Sequence, residues 1–180
     1  MSDAGPESVT ELVEMFYESL YRYAFRLSGS NADADDLTQE TFCKAQAQFK
    51  QLRDRNRAKP WLFSIVRNLY LHKLRIAKQF VTLPLDSVAE LPEHVADTLP
   101  EIDSEQLQQA LGEIPEVFRT PVILYYFEDF SYRDIADQMD LPIGTVMSRL
   151  ARAKAHLRGR LVPPAPALLA DGPRRATDGL

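Results

Sequence analysis

The sequence predicts an all-α protein, two small helical domains joined by a flexible acidic linker. Three observations carry that expectation. Apolar residues recur at helical spacing almost everywhere, charge is sorted into long blocks, and a helix-turn-helix pattern lies near the C-terminal end. Residues 1–43 hold nine acids against two bases, 44–79 one acid against ten bases, and 80–118 nine acids and no base. At 180 residues the chain has room for two domains of small size, each near the lower limit for an independent core.

Val9 to Ser28 reads as a first amphipathic helix, with Leu12, Phe16, Leu20 and Tyr23 on one side and Ser28-Gly29-Ser30 ending it. A second runs from about Ala32 to Phe49, with Thr38, Phe42, Ala45 and Phe49 inward and Asp36, Gln39, Glu40 and Cys43 grouped on another face. The basic, polar residues Gln51 to Lys59 form a loop that stops at Pro60. Trp61 to Lys78 then makes a third helix, turning Leu62, Ile65, Val66, Leu69 and Ile76 inward and Arg67, Asn68, Leu71, Arg75 and Lys78 outward. With Lys44, Lys50, Arg53, Arg55, Arg57 and Lys59 nearby, this is the strongest positive field in the chain.

From Thr82 to Asp103 the prolines Pro84, Pro92 and Pro100 and a run of acids have linker composition, with at most a turn of helix around Val88. The second domain begins near Ser104, breaks at Ile114-Pro115 and continues through Phe118 to Phe127; the β-rich stretch Pro121 to Phe127 is read as helix from its neighbours. Tyr132 to Met139 and a helix starting near Pro142 form the helix-turn-helix, hinged at Asp140, a residue that tolerates a left-handed backbone. Val146, Leu150, Ala153, Leu157 and Leu161 share one face of the second helix, and Thr145, Ser148, Arg149, Arg152 and His156 the other. Thr145 to Arg160 carries five Lys/Arg and no acid, the pattern of a helix that buries one side and offers the other to a DNA major groove. Residues 162–180 read as a disordered, proline-rich tail.

A net charge of -5 does not oppose nucleic-acid binding, because clustered bases set the local field. One cysteine, Cys43, precludes an internal disulfide and fits a reducing cytoplasm; as a lone helical thiol it is either packing or a redox-sensitive group. The trio Asp33, Asp35 and Asp36 fails as a calcium loop, since counting from Asn31 the sixth position is Asp36 instead of glycine and the twelfth is Phe42 instead of glutamate. His72, His94 and His156 are scattered, with no nucleophile elbow, phosphate loop or metal spacing, so neither an enzyme nor a cofactor is expected. No apolar run approaches the roughly 20 residues of a membrane span, and no signal peptide is visible.

Three motifs occur in order: Asp33-Ala-Asp-Asp-Leu-Thr-Gln-Glu-Thr-Phe42, Lys59-Pro-Trp-Leu-Phe-Ser-Ile-Val-Arg-Asn-Leu69, and the region from Leu111 to Leu161. In these the chain resembles bacterial RNA polymerase sigma factors of the extracytoplasmic-function class, within the sigma-70 family. The resemblance implies region 2 over 8–80, a linker over 81–103 and region 4 over 104–161. It implies that Asp36, Gln39, Glu40 and Cys43 meet the β′ clamp helices of core polymerase. It implies that Arg55, Arg57, Lys59, Trp61, Arg67, Asn68, Arg75 and Lys78 open and hold the promoter -10 element, and that Thr145, Ser148, Arg149, Arg152 and His156 meet the -35 element. Trp61 reads equally well as a core anchor. Phe118, Val122, Leu124, Tyr125 and Phe127 are core by default, with some expected at the β flap of polymerase. The Pro142-Ile-Gly-Thr-Val-Met-Ser-Arg-Leu150 form looks most like the branch often held by zinc-containing anti-sigma proteins, and a cognate anti-sigma factor is an expected partner. His72, Met147 and Asp140 depart from the family's frequent acid, Lys and Gly, which bears on promoter preference.

The rival reading is a helix-turn-helix repressor or activator that binds duplex DNA as a homodimer. It accounts for 131–161 and leaves the basic third helix and the acidic second helix without work. The two readings differ in whether promoter binding requires core polymerase, since the acidic N-terminal segments oppose tight binding by the free chain.

Overall fold

The computed structural model describes residues 5–80 and 104–161, side chains at 78–80 excepted. The expected linker, with its turn near Val88, and the expected tail lie outside the described residues. Among the described residues every regular element is helical: α1 (Val9–Ser28), α2 (Asn31–Gln48), two short 3-10 turns (Phe49–Gln51 and Arg55–Arg57), α3 (Ala58–Phe80), α4 (Ser104–Glu113), α5 (Glu116–Phe127), α6 (Tyr132–Met139) and α7 (Ile143–Leu161).

Local chemistry sets the helix ends. Ser8 caps α1 by accepting from the Glu11 N–H at 3.2 Å, and Gly29 ends it at φ 71°, a left-handed backbone suited to glycine. Ser30 immediately caps α2, so α1 and α2 fold back as an antiparallel pair. The inward stripe of α2 is Ala34, Leu37, Thr38, Thr41 and Ala45. Phe42 and Phe49, expected inward, sit half-buried at the edge, because the stripe that meets α1 and α3 is centred one residue before Phe42. Helix α3 begins at Ala58, earlier than the sequence pattern suggests, so Lys59 and Pro60 belong to its first turn instead of a loop. A first turn has no intrahelical use for the missing proline N–H. Leu62, Phe63, Ile65, Val66, Leu69 and Tyr70 are buried from α3, whereas Ile76, expected inward, is 42% exposed near the end of the helix.

In the C-terminal half, Leu111, Ile114, Phe118, Val122, Ile123, Leu124, Ile135, Met139, Val146, Leu150, Ala153 and Leu157 are all buried and belong to a core cluster that α1 and α3 share. Phe63 of α3 meets Phe130, at the α5–α6 junction, with ring centroids 5.1 Å apart. The last carbonyls of α1 also take donors from the other half, although that of Phe25 already accepts the Gly29 N–H at 2.7 Å. Arg119 donates to the Leu27 carbonyl at 2.8 Å, and Gln108 donates to those of Phe25 and Arg26 at 3.4 and 3.3 Å.

Candidate nucleic-acid interface

The helix-turn-helix is built by its caps. Ser131 and Asp134 form a reciprocal capping box at the start of α6, and Asp140 ends that helix at φ 53°. The Pro142 carbonyl accepts the Thr145 and Val146 N–H groups at 2.9 and 3.2 Å, which starts α7 as expected. Val146, Leu150, Ala153 and Leu157 anchor α7, leaving Ser148 and Arg152 exposed on the opposite side, with Thr145 and Arg149 half-buried beside them.

Two of the expected groove residues reach partners on other helices, while the Ser148 hydroxyl donates within α7 to the Thr145 carbonyl at 3.0 Å. Pro121 in the middle of α5 has no N–H for the carbonyl of Val117, four residues earlier, and the Arg149 guanidinium donates to that carbonyl at 3.4 Å. His156 lies 3.9 Å from the carboxylate of Glu113 at the end of α4, which also pairs with Arg160. The C-terminal part of α7 thus leans on α4, and His156 faces that contact more than open solvent; helical period alone does not reveal a neighbouring helix.

The eight basic-surface residues of the N-terminal half are not one continuous patch. Asn68 and Arg75 stand exposed on α3 as expected. The Arg55 guanidinium lies 3.7 Å over the Phe49 ring and donates to the Phe49 carbonyl, which holds it against the protein. Trp61 is half-buried against the core, and the side chain of Lys78 lies outside the described residues. Arg57, Lys59 and Arg67 all meet the C-terminal half. Arg57 lies 3.6 Å from Asp137 and 3.9 Å from Asp134, Lys59 donates to the Glu128 carbonyl, and Arg67, with its side chain 16% exposed, lies 3.6 Å from Glu116.

Glu128 is the most buried acid there, at 2% exposure, with Arg26 3.6 Å away. Burial pushes its carboxyl up to about 7, against the lowering influence of Arg26, Lys59 and Arg22. Burial likewise lowers Arg26 and raises Tyr70 and the fully buried Tyr23. Arg26 was not singled out by the sequence, and its only local signal is its place near the end of α1.

The third surface lies on α2. Asp36, Gln39, Glu40 and Cys43 are exposed together, beside a shallow groove between α1 and α2 that Val13, Tyr17 and Phe42 line. Tyr17 stacks on Phe42 with centroids 6.2 Å apart. Lys73 of α3 pairs with Asp33 at 3.1 Å and Asp36 at 3.5 Å. Burial lowers the Lys73 ammonium, and the hydrogen bond and charge of Asp33, with Asp36 adding, outweigh this and raise it. Neither Tyr17 nor Lys73 was legible as part of this face, since each comes from a different helix.

The family model for Sigma-70 region 2 matches residues 12–79, and that for Sigma-70, region 4 matches residues 104–157. The chain is 26% identical over 169 residues to the ECF RNA polymerase sigma factor SigW of Bacillus subtilis, covering 86% of this chain and 89% of that one. It is 32% identical to the ECF RNA polymerase sigma factor EcfG of Rhodopseudomonas palustris, covering 79% of each, and 32% identical to SigM of Mycobacterium tuberculosis, covering 82% and 74%. Among solved structures it is similar to the sigma factor RpoE of Bartonella quintana, determined with the anti-sigma factor NepR, at TM-score 0.69 and 28% identity over 83% of this chain and 93% of that one. CnrH, determined with the cytosolic domain of CnrY, shares the fold at TM-score 0.56 and 22% identity.

Proposed function

The chain belongs to the sigma-70 family of RNA polymerase sigma factors, in the extracytoplasmic-function class, and on that premise we propose how its parts divide the work of directing promoter-specific transcription initiation. Residues 8–80 act as region 2 and 104–161 as region 4, joined through 81–103. Ser148 and Arg152 lead the contact with the -35 duplex, with Thr145 and Arg149 beside them and His156 at the far end of the helix. Asn68, Arg75 and Lys78, together with Arg55, Arg57, Lys59, Trp61 and Arg67, bind the opened -10 strand. Backbone charge supplies most of that affinity, and stacking on Trp61 adds about 1–3 kcal/mol. Asp36, Gln39, Glu40 and Cys43 meet the β′ clamp of polymerase, and half-buried Tyr125 and Phe127 the β flap.

In this reading polymerase performs the chemistry and the chain acts as its promoter-specificity subunit. Among the described residues no helix is long and apolar enough to cross a membrane. A role beside polymerase supports a bacterial cytoplasmic location. A cognate anti-sigma factor is a further partner, supported by the RpoE relative being determined with NepR. The carrying observation is the ordered pair of region matches with an exposed hydroxyl and guanidinium on the second helix of the helix-turn-helix. The homodimeric repressor reading is not favoured, since it leaves region 2 unused.

The test is run-off transcription with purified core polymerase on promoter fragments from the same genome. Specific transcripts that appear only with this protein are expected. Duplex binding without polymerase, and no transcripts, would return the repressor reading.

A further inference from the structure

The residues ahead of α1 lie against the loop that joins α2 to α3. Pro6 is buried, and the two residues after it are tied to α1: the Glu7 N–H donates to the Glu11 carboxylate at 2.9 Å, and Ser8 caps the helix. Gly5 meets the 3-10 turn Arg55–Arg57 backbone to backbone. A Cβ at Gly5 would collide with the carbonyl carbon and oxygen of Arg55 and stand 2.7 Å from its Cβ. A backbone neighbour cannot swing aside as the tip of a long side chain does, so only glycine fits this approach.

Arg55 is held from two further sides. Its carbonyl accepts the N–H of Ala58, the first residue of α3, and its guanidinium rests over the Phe49 ring while donating to the Phe49 carbonyl at 3.1 Å. Asp54 closes the turn, its carboxylate accepting the Asn56 N–H at 3.0 Å and its carbonyl accepting the Arg57 N–H at 3.2 Å. All of these bonds lie within residues 49–58. Gly5 adds a hold from a distant segment of the chain, itself anchored through Glu7 and Ser8 to α1.

We propose that Gly5 and Pro6 are positioning residues, a strap that keeps the turn Arg55–Arg57 in the shape that presents Arg55, Arg57 and Lys59 to the opened -10 strand. The strap itself touches no nucleotide. This rests on the region 2 reading of those three residues. A loop already ordered loses no freedom when the strand arrives, whereas a loosened one loses it on binding, which weakens affinity about 3- to 10-fold. Glycine and proline carry no side-chain charge, so the strap leaves the number of phosphate contacts, and with it the salt dependence of binding, unchanged.

The test compares wild type, Gly5→Val and Pro6→Ala in the full chain. Gly5→Val drives the strap away by collision, and Pro6→Ala removes buried surface without one, so the second decides even where the first fails to fold. Hydrogen exchange of the Arg57 and Ala58 amides reads the turn; holoenzyme binding to a single-stranded -10 oligonucleotide across salt, and to -35 duplex, reads function. In Pro6→Ala those two amides are expected to exchange about 3- to 10-fold faster while the α2 amides stay as in wild type. The oligonucleotide should bind about 3- to 10-fold more weakly with the same salt slope, and the -35 duplex as in wild type. Unchanged Arg57 and Ala58 amides in Pro6→Ala would overturn the strap. Faster exchange with unchanged oligonucleotide affinity would overturn the positioning role and leave a purely structural tie. A salt slope lowered by about 1 would mean that the segment touches a phosphate, which also overturns it. A wild-type holoenzyme that fails to bind the oligonucleotide would instead sink the region 2 reading.

Discussion

Arg152 and Arg149 illustrate how one residue type at neighbouring positions takes different work. Arg152 is exposed, whereas Arg149 also supplies the donor that Pro121 withholds from Val117. Arg152→Ala is expected to weaken holoenzyme binding to -35 duplex by about 1–3 kcal/mol, read by competition binding, with core polymerase affinity unchanged. Glu128 gives a second prediction at this scale. Its folded value, about 7, lies above the ordinary 4.5, so between those values the folded chain binds a proton that the unfolded chain has released. That contribution is present at low pH and is lost as pH rises toward 7. Glu128→Gln, which stays neutral, should therefore gain stability relative to wild type by on the order of 1–2 kcal/mol between pH 5 and 8, measured by urea unfolding. A constant difference across that range would remove Glu128 as the titrating group.

Individual helices owe their limits to a few side chains near their ends, and some of these were readable because a cap lies within four residues of what it caps. Gly29, Asp140 and Pro142 end or begin helices where the sequence pattern places them. Pro60 misled, since a proline stops a preceding helix but also fits the first turn of the next. Ser131→Ala removes a capping box in which the hydroxyl accepts the Asp134 N–H at 3.1 Å. It should cost about 1 kcal/mol of stability, seen as a lower thermal midpoint, and should weaken -35 binding only as far as α6 frays. Faces are legible with less certainty than ends. On α2 the exposed stripe Asp36, Gln39, Glu40 and Cys43 emerges as read, yet the buried stripe is displaced from Phe42, because the side that meets α1 and α3 is centred one residue earlier, on Leu37, Thr41 and their neighbours.

At the scale of the molecule, the two halves share a core through Phe63 and Phe130 and through the Arg119 and Gln108 caps on α1. Free wild-type protein should therefore melt in a single calorimetric transition at low salt, and Glu116→Gln with Asp137→Asn should divide it into two. A single transition in both proteins would mean that the shared core and the Arg119 and Gln108 caps couple the halves without these ion pairs. The order of the helices, the end residues Gly29, Asp140 and Pro142, the helix-turn-helix and the family itself were readable from the chain alone, whereas the serine caps at Ser8, Ser30 and Ser131 emerge from the structure. Each of the readable features rests on spacings of a few residues, within which backbone geometry leaves little choice. That Arg57 and Arg67 face carboxylates, that Lys59 meets the Glu128 backbone carbonyl, that Arg149 answers Pro121 and that His156 leans on Glu113 were settled by tertiary packing. A helical period says which side of a helix a residue occupies, but not which distant segment will lie against that side.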